Sequence, residues 1–190
     1  MSKPFIDWAS LLLLNMMAGY FLLAYYVYAG LDEPDQTKWS PAFAMVGALA
    51  AIFGGIMAVT WPLPGTYSSI YGEMSVLLGF VFLGAGVAMA KGWSLRAVAC
   101  YAFFPGIAAV VIGIRIIDLR LTLTPVMAGV GFILSGLAGV FAAPTLAWMK
   151  SDRPFRTLAA IVLAITGLIW AATTYPEYWI HMKLFARWAP

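Results

Sequence analysis

Apolar residues along this chain run in six blocks, and the polar residues gather in the short gaps between them. The blocks cover residues 8–30, 41–61, 74–90, 97–117, 125–148 and 157–174. A bilayer core about 30 Å thick is crossed by roughly 20 apolar residues in helix, so every block has membrane-crossing length. Backbone groups in hydrocarbon must find their partners inside the segment, which excludes open sheet. The pattern therefore predicts an all-α fold: a polytopic transmembrane bundle of about six helices in three hairpins. It forms a single transmembrane domain over 1–190, with an interfacial tail at 175–190.

Helix starts are marked by Ser40-Pro41 and Thr124-Pro125, each a capping hydroxyl before a proline at the first helical position. Ser94 stands in the same role before the fourth block. Pro105 and Pro144 fall inside blocks and predict bends there, read as packing features or as a gating hinge. Small residues recur at four-residue steps: Gly47, Ala51 and Gly55; Gly84 and Ala88; Gly131, Ser135, Gly139 and Ala143. Such stripes let helix backbones approach closely, within the chain or between copies. Residues 79–90 (GFVFLGAGVAMA) are echoed about 52 positions later by 131–142 (GFILSGLAGVFA), and TWP and TYP close the second and sixth blocks. Three related hairpins would explain these echoes, as would chance in apolar sequence.

Composition narrows the class further. With 63% hydrophobic and 10% charged residues, no soluble surface could be made polar enough. The net charge of +3 is carried by single residues and short loop clusters, a rim pattern and not a nucleic-acid footprint. Loops after the odd-numbered helices hold Lys38, Lys91, Arg96, Lys150, Arg153 and Arg156; the other side holds Lys3, Arg120, Lys183 and Arg187, with Arg115 inside helix four. That small excess predicts both termini outside, on the periplasmic face of a cell (inner) membrane. The first block lacks a small-residue cleavage site and reads as a retained helix.

Ionisable residues at membrane depth are the first functional candidates. Arg115 and Asp118 lie three apart on one helix face, with Arg120 following, either as a snorkelling trio or as the lining of an anion or proton path. The segment 60–73, TWPLPGTYSSIYGE, is held out of helix by two prolines and Gly65. Its Tyr67, Tyr71 and Glu73 share a side of the membrane with Arg115, Asp118, Arg120, Glu177 and His181, by alternation of the helices. Tyr67, Tyr71, Glu73, Arg115, Asp118 and Arg120 make the candidate polar site; Gly47, Gly55, Gly84, Gly131 and Gly139 make the candidate packing positions. Asn15, amid leucines and methionines, predicts an interhelical hydrogen bond. In the tail YPEYWIHMKLFARWAP the charges fall in two stripes, so it is not a clean amphipathic helix.

One histidine excludes bis-histidine haem within the chain, and His181 and Met182 are too close to be opposed axial ligands. Cys100 is alone, no paired-histidine metal motif occurs, and the ten methionines are scattered as packing residues. No cofactor, metal, catalytic residue or enzymatic activity is expected.

The run TWPLPGTYSSIYGE, followed by KGWSLRAVACYAFFPGI, resembles an uncharacterised family (a domain of unknown function) of small polytopic bacterial and archaeal membrane proteins. The resemblance implies the six-helix topology and attention to residues 60–73, and carries no activity. Two functions remain as expectations. One is a small transporter or channel for an ion or solute; the other is a non-catalytic accessory subunit of a respiratory, photosynthetic or transport complex. The expected partners are the lipid bilayer and further copies of the chain or a larger membrane complex, with no nucleic acid.

Overall fold

The computed structural model describes residues 7–149 and 151–186, so Lys3, Lys150 and Arg187 of the charge comparison lie outside the described residues. Six helices are long and apolar enough to cross a membrane, and no strand occurs among the described residues. The chain is an all-helical, multi-pass membrane protein. Its helices are α1 (Trp8–Tyr25), α2 (Ser40–Thr60), α3 (Met74–Ala90), α4 (Arg96–Leu119), α5 (Pro125–Pro144) and α6 (Arg153–Phe185).

Three wide, π-type turns continue α1 at Tyr26–Gly30, precede α3 at Ser68–Glu73 and follow α5 at Thr145–Met149. The last begins one residue after Pro144, where the ring removes a backbone donor and the regular ladder cannot continue. Pro105 is absorbed inside α4, which runs unbroken past it. Asp7 starts α1 by accepting from Ser10 N at 3.3 Å, and Asp152 starts α6 by accepting from Phe155 N at 3.2 Å. Ser40 does not cap α2; it is already helical, because a 3-10 turn (Gln36–Trp39) leads into it and is capped by Asp35, which accepts from Thr37 N at 3.0 Å. α6 does not stop at residue 174: it runs on past Pro176 to Phe185, with the hydroxyls of Thr173 and Thr174 donating back to Ile169 O at 3.0 Å and Trp170 O at 2.6 Å.

Each helix packs on the next in sequence and α6 closes onto α1, so the six form a ring. The ring is built from three close pairs, α2/α3, α4/α5 and α6/α1, with looser contact between pairs. The third pair joins the two ends of the chain and is not a hairpin. Glycines explain the first two pairs. A methyl built at Gly79 would fall 2.5 Å from Ala51 N, and one at Gly47 would fall 2.4 Å from Leu83 N. On α4/α5, a methyl at Gly136 would lie 2.4 Å from Gly106 O, and one at Gly129 would lie 2.6 Å from Gly113 O. No side chain fits there, and the backbones meet directly.

The working spacing is seven residues, not four: Gly47 and Gly54, then Gly72, Gly79 and Gly86, then Gly106 and Gly113, then Gly129 and Gly136. A seven-residue repeat keeps one seam facing its partner through a left-handed supercoil, which a four-residue step does not. Gly55 accordingly faces away from the seam, its nearest neighbour 4.0 Å off. Gly84 touches only Val98 of α4, at 3.4 Å; Gly131 turns to Trp170 of α6, at 3.1 Å; Gly139 does meet α4, 2.7 Å from Ala102 O. The two seams also share a pattern. Ser40 O and Ala44 N approach Gly86 as Gly106 O and Val110 N approach Gly136. Gly72 and Gly79 meet α2 in the same way, so the shared pattern fixes no single register between the seams.

Candidate functional site

The ring encloses a cavity of about 450 Å³ on its axis. All six helices contribute to its wall, which is built from aromatic, methionine, leucine and alanine side chains. Phe43 stacks on Phe82 with centroids 5.3 Å apart, and Tyr26 meets Phe43 edge-on at 5.3 Å. At its other end the cavity stops at Phe132, which stands edge-on to Trp170 at 5.3 Å and tilted to Tyr71 at 5.7 Å. Beyond that layer, toward the chain's termini, Met57 and Ile116 are fully enclosed. The axis is closed there by packed side chains.

Among the described residues that line the cavity, none carries a charge. Its main polar station is Ser135, whose hydroxyl accepts from Trp170 Nε1–H at 3.1 Å, with the Tyr20 hydroxyl within hydrogen-bonding reach. This is a small donor–acceptor group in an otherwise apolar passage. Asn15 is turned away from the axis and donates to Val46 O at 3.0 Å, joining α1 to α2.

The structure brings together only part of the polar set read from the sequence. Tyr67 and Tyr71 stack nearly parallel, 6.3 Å between centroids, and the Tyr67 hydroxyl donates to Leu121 O at 2.5 Å. Tyr71 is buried behind Phe132. Arg115 and Asp118 pair at 2.5 Å, each with 57% of its side chain exposed. The helical wheel explains their position: Gly113 and Ile116 turn inward, which leaves Arg115 and Asp118 outside. Arg120 ends α4 in the left-handed region (φ 51°), exposed, and Glu73 is also exposed. These four surround one end of the bundle and do not line its axis.

Two polar clusters escaped the sequence reading. Arg156, counted there as a loop cation, is 3% exposed; its guanidinium donates to Val27 O at 3.0 Å, to Tyr28 O at 2.9 Å and to the Asp32 carboxylate. At the opposite end of the same helix pair, His181 Nδ1 meets Asp7 at 2.6 Å and Nε2 meets Glu177 at 3.2 Å, with Ser10 Oγ 3.2 Å away. The partners come from opposite ends of the chain, more than 120 positions apart in both cases except Glu177, so no local pattern announces them.

Residues 1–184 match DUF981, described as a protein of unknown function, and the chain belongs to that family. None of the curated proteins is significantly similar in sequence. Among solved structures the fold is similar to that of the Helicobacter pylori urea channel in its closed state, seen by cryo-electron microscopy. The two share 17% identity with a TM-score of 0.69, over 95% of this chain and all of that one.

Proposed function

We propose that this protein is a channel that passes a small neutral solute along the axis of its six-helix ring. The observation that carries the reading is the uncharged axial cavity, sealed at one end by the Phe132–Trp170–Tyr71 layer. A charged solute would lose its hydration there without a compensating partner. A neutral solute with one donor and one acceptor would find Ser135 and Tyr20. The similarity in fold to a urea channel in a closed state supports the same reading, and urea is the first solute to try. In this reading Tyr67 and Tyr71 belong to the closed end, and Glu73, Arg115, Asp118 and Arg120 form its outer rim. On the same reading both termini lie outside an inner membrane, the orientation that the small excess of basic residues favours.

The test is stopped-flow light scattering on proteoliposomes challenged with urea and other small neutral solutes. Wild-type protein should raise permeability above that of protein-free vesicles, and Phe132→Ala should raise it further by opening the closed layer. Protein-free rates from both would remove the channel reading. One observation favours the accessory-subunit alternative: Tyr175, Trp179 and Met182 expose an apolar face on the last turns of α6, Trp179 at 83%. Stoichiometric co-extraction with a larger complex, lost on Trp179→Ala, would favour it.

A further inference from the structure

The axial cavity is not walled entirely from within. Its lining includes the buried Tyr26, Phe43 and Met89, and also Phe141 and Leu158, residues that are 52% and 59% exposed. Phe141 belongs to α5 and Leu158 to α6. The cavity therefore reaches the outside through a slit between these two helices.

The local sequence explains the slit. Near Gly131, α5 and α6 pack closely: Trp170 and Ile169 lie within 3.1–3.2 Å of where a methyl would sit, and Trp170 bonds Ser135. Toward the other end α5 gives way at Pro144 to its wide turn, and Ala138, Ala142 and Ala159 line the cavity with methyl groups beside the larger Phe141, Leu158 and Val162.

What stands outside the slit in a bilayer is acyl chain. An apolar cavity of about 150 Å³ stays dry and takes up hydrocarbon, and this one has ligand-site dimensions. An empty cavity forfeits the dispersion contacts of its walls, so a chain entering from lipid gains packing even though it leaves no water. The rim specifies a headgroup. Lys91, Arg96 and Arg153 are exposed and lie one or two residues from the lining residues Met89, Leu95 and Phe155. Asp32 pairs with Arg156, while Glu33, Asp35 and Asp152 accept from neutral donors (Trp39 Nε1, Thr37 and the α6 backbone) and keep their charge. The described bases at that end, Lys38, Lys91, Arg96, Arg153 and Arg156, outnumber these carboxylates by one, and Arg153 stands at the start of α6 beside the slit.

We infer that one acyl chain of an anionic bilayer phospholipid enters between α5 and α6 and occupies the axial cavity, its headgroup held by Arg153 at the start of α6. If the axis is the conduit proposed above, the chain is a plug and the channel is regulated by lipid; the binding itself does not depend on that reading. The experiment uses the full chain in nanodiscs containing phosphatidylglycerol with a photoreactive diazirine near the end of one acyl chain, followed by peptide mapping of the adducts. Interior adducts on Phe43, Phe82 or Met89 are expected, besides exterior ones on the exposed mid-helix residues Ile52 and Phe80. Ala138→Trp, or Ala159→Phe from the opposite wall, should lower the interior adducts about tenfold and leave the exterior ones unchanged. The exterior adducts and an unchanged melting temperature report that each variant is folded. Matched phosphatidylcholine, or Arg153→Gln, should lower interior labelling several-fold. Adducts confined to exterior residues, or interior labelling indifferent to both slit variants, would overturn the inference. Equal labelling from the two headgroups would overturn its anionic part. Because photolabelling needs no flux, a protein that labels inside but passes no solute would reject the channel and keep the lipid site.

Discussion

A cation in the first turn of a helix faces the positive end of the helix dipole, yet Arg156 sits in the first turn of α6 and is almost fully buried. Its partners resolve the conflict. They are the carbonyls of Val27 and Tyr28, at the end of the turn that continues α1, where backbone acceptors lack helical donors and the dipole is negative. Arg156 thus ties the end of α1 to the start of α6, while His181 ties the start of α1 to the last turns of α6. Removing the guanidinium leaves buried acceptors without a donor, and Arg156→Leu should cost about 3–5 kcal/mol. Asp32 is 60% exposed on its side chain, so Asp32→Asn should cost about 1 kcal/mol or less. Thermal unfolding in detergent measures both, and equal losses would mean that the ion pair, not the carbonyl contacts, makes the clamp.

At the scale of helices, the glycine seams make a sharper test than the amount of glycine. Gly79→Ala puts a methyl against backbone that cannot move aside, as does Gly136→Ala, and each should lower stability by about 1–3 kcal/mol. Gly55→Leu, on the open side of α2, should leave the melting temperature within about a degree of wild type. A loss at Gly55 comparable to that at Gly79 would show that its face is covered in the membrane. The same seams show what was legible in the sequence. Six membrane-crossing segments were, because hydrocarbon forces both length and composition on each. Asn15 was, because a buried amide must find a partner. The choice between Gly54 and Gly55 was not, since both fit a small-residue stripe and only the seven-residue seam separates them. Nor was the burial of Arg156 or the Ser135–Trp170 contact, which depend on α6 returning to close the ring. The charged residues read as a site, Arg115 and Asp118, fall on the exterior because burial follows the helical face and not the charge.

For the whole molecule, the channel reading commits to what must not pass. An ion at the centre of a hydrocarbon layer is costly, and pores that conduct ions lower that cost with water, carbonyl rings or fixed charge. The axial cavity presents none of the last among the described residues that line it, and its walls are chiefly side-chain hydrocarbon. Widening the passage removes a steric barrier without supplying an ion's missing solvation. Phe132→Ala should therefore accelerate neutral solutes by about tenfold and leave ionic conductance in planar bilayers at the level of bare lipid. Introducing a carboxylate on the wall, as in Ala109→Glu, would instead give a cation its partner and should produce a measurable cation current if the axis is continuous. Current from Phe132→Ala alone would mean that water fills the widened axis and carries ions with it, and selectivity would then rest on the aromatic layer itself.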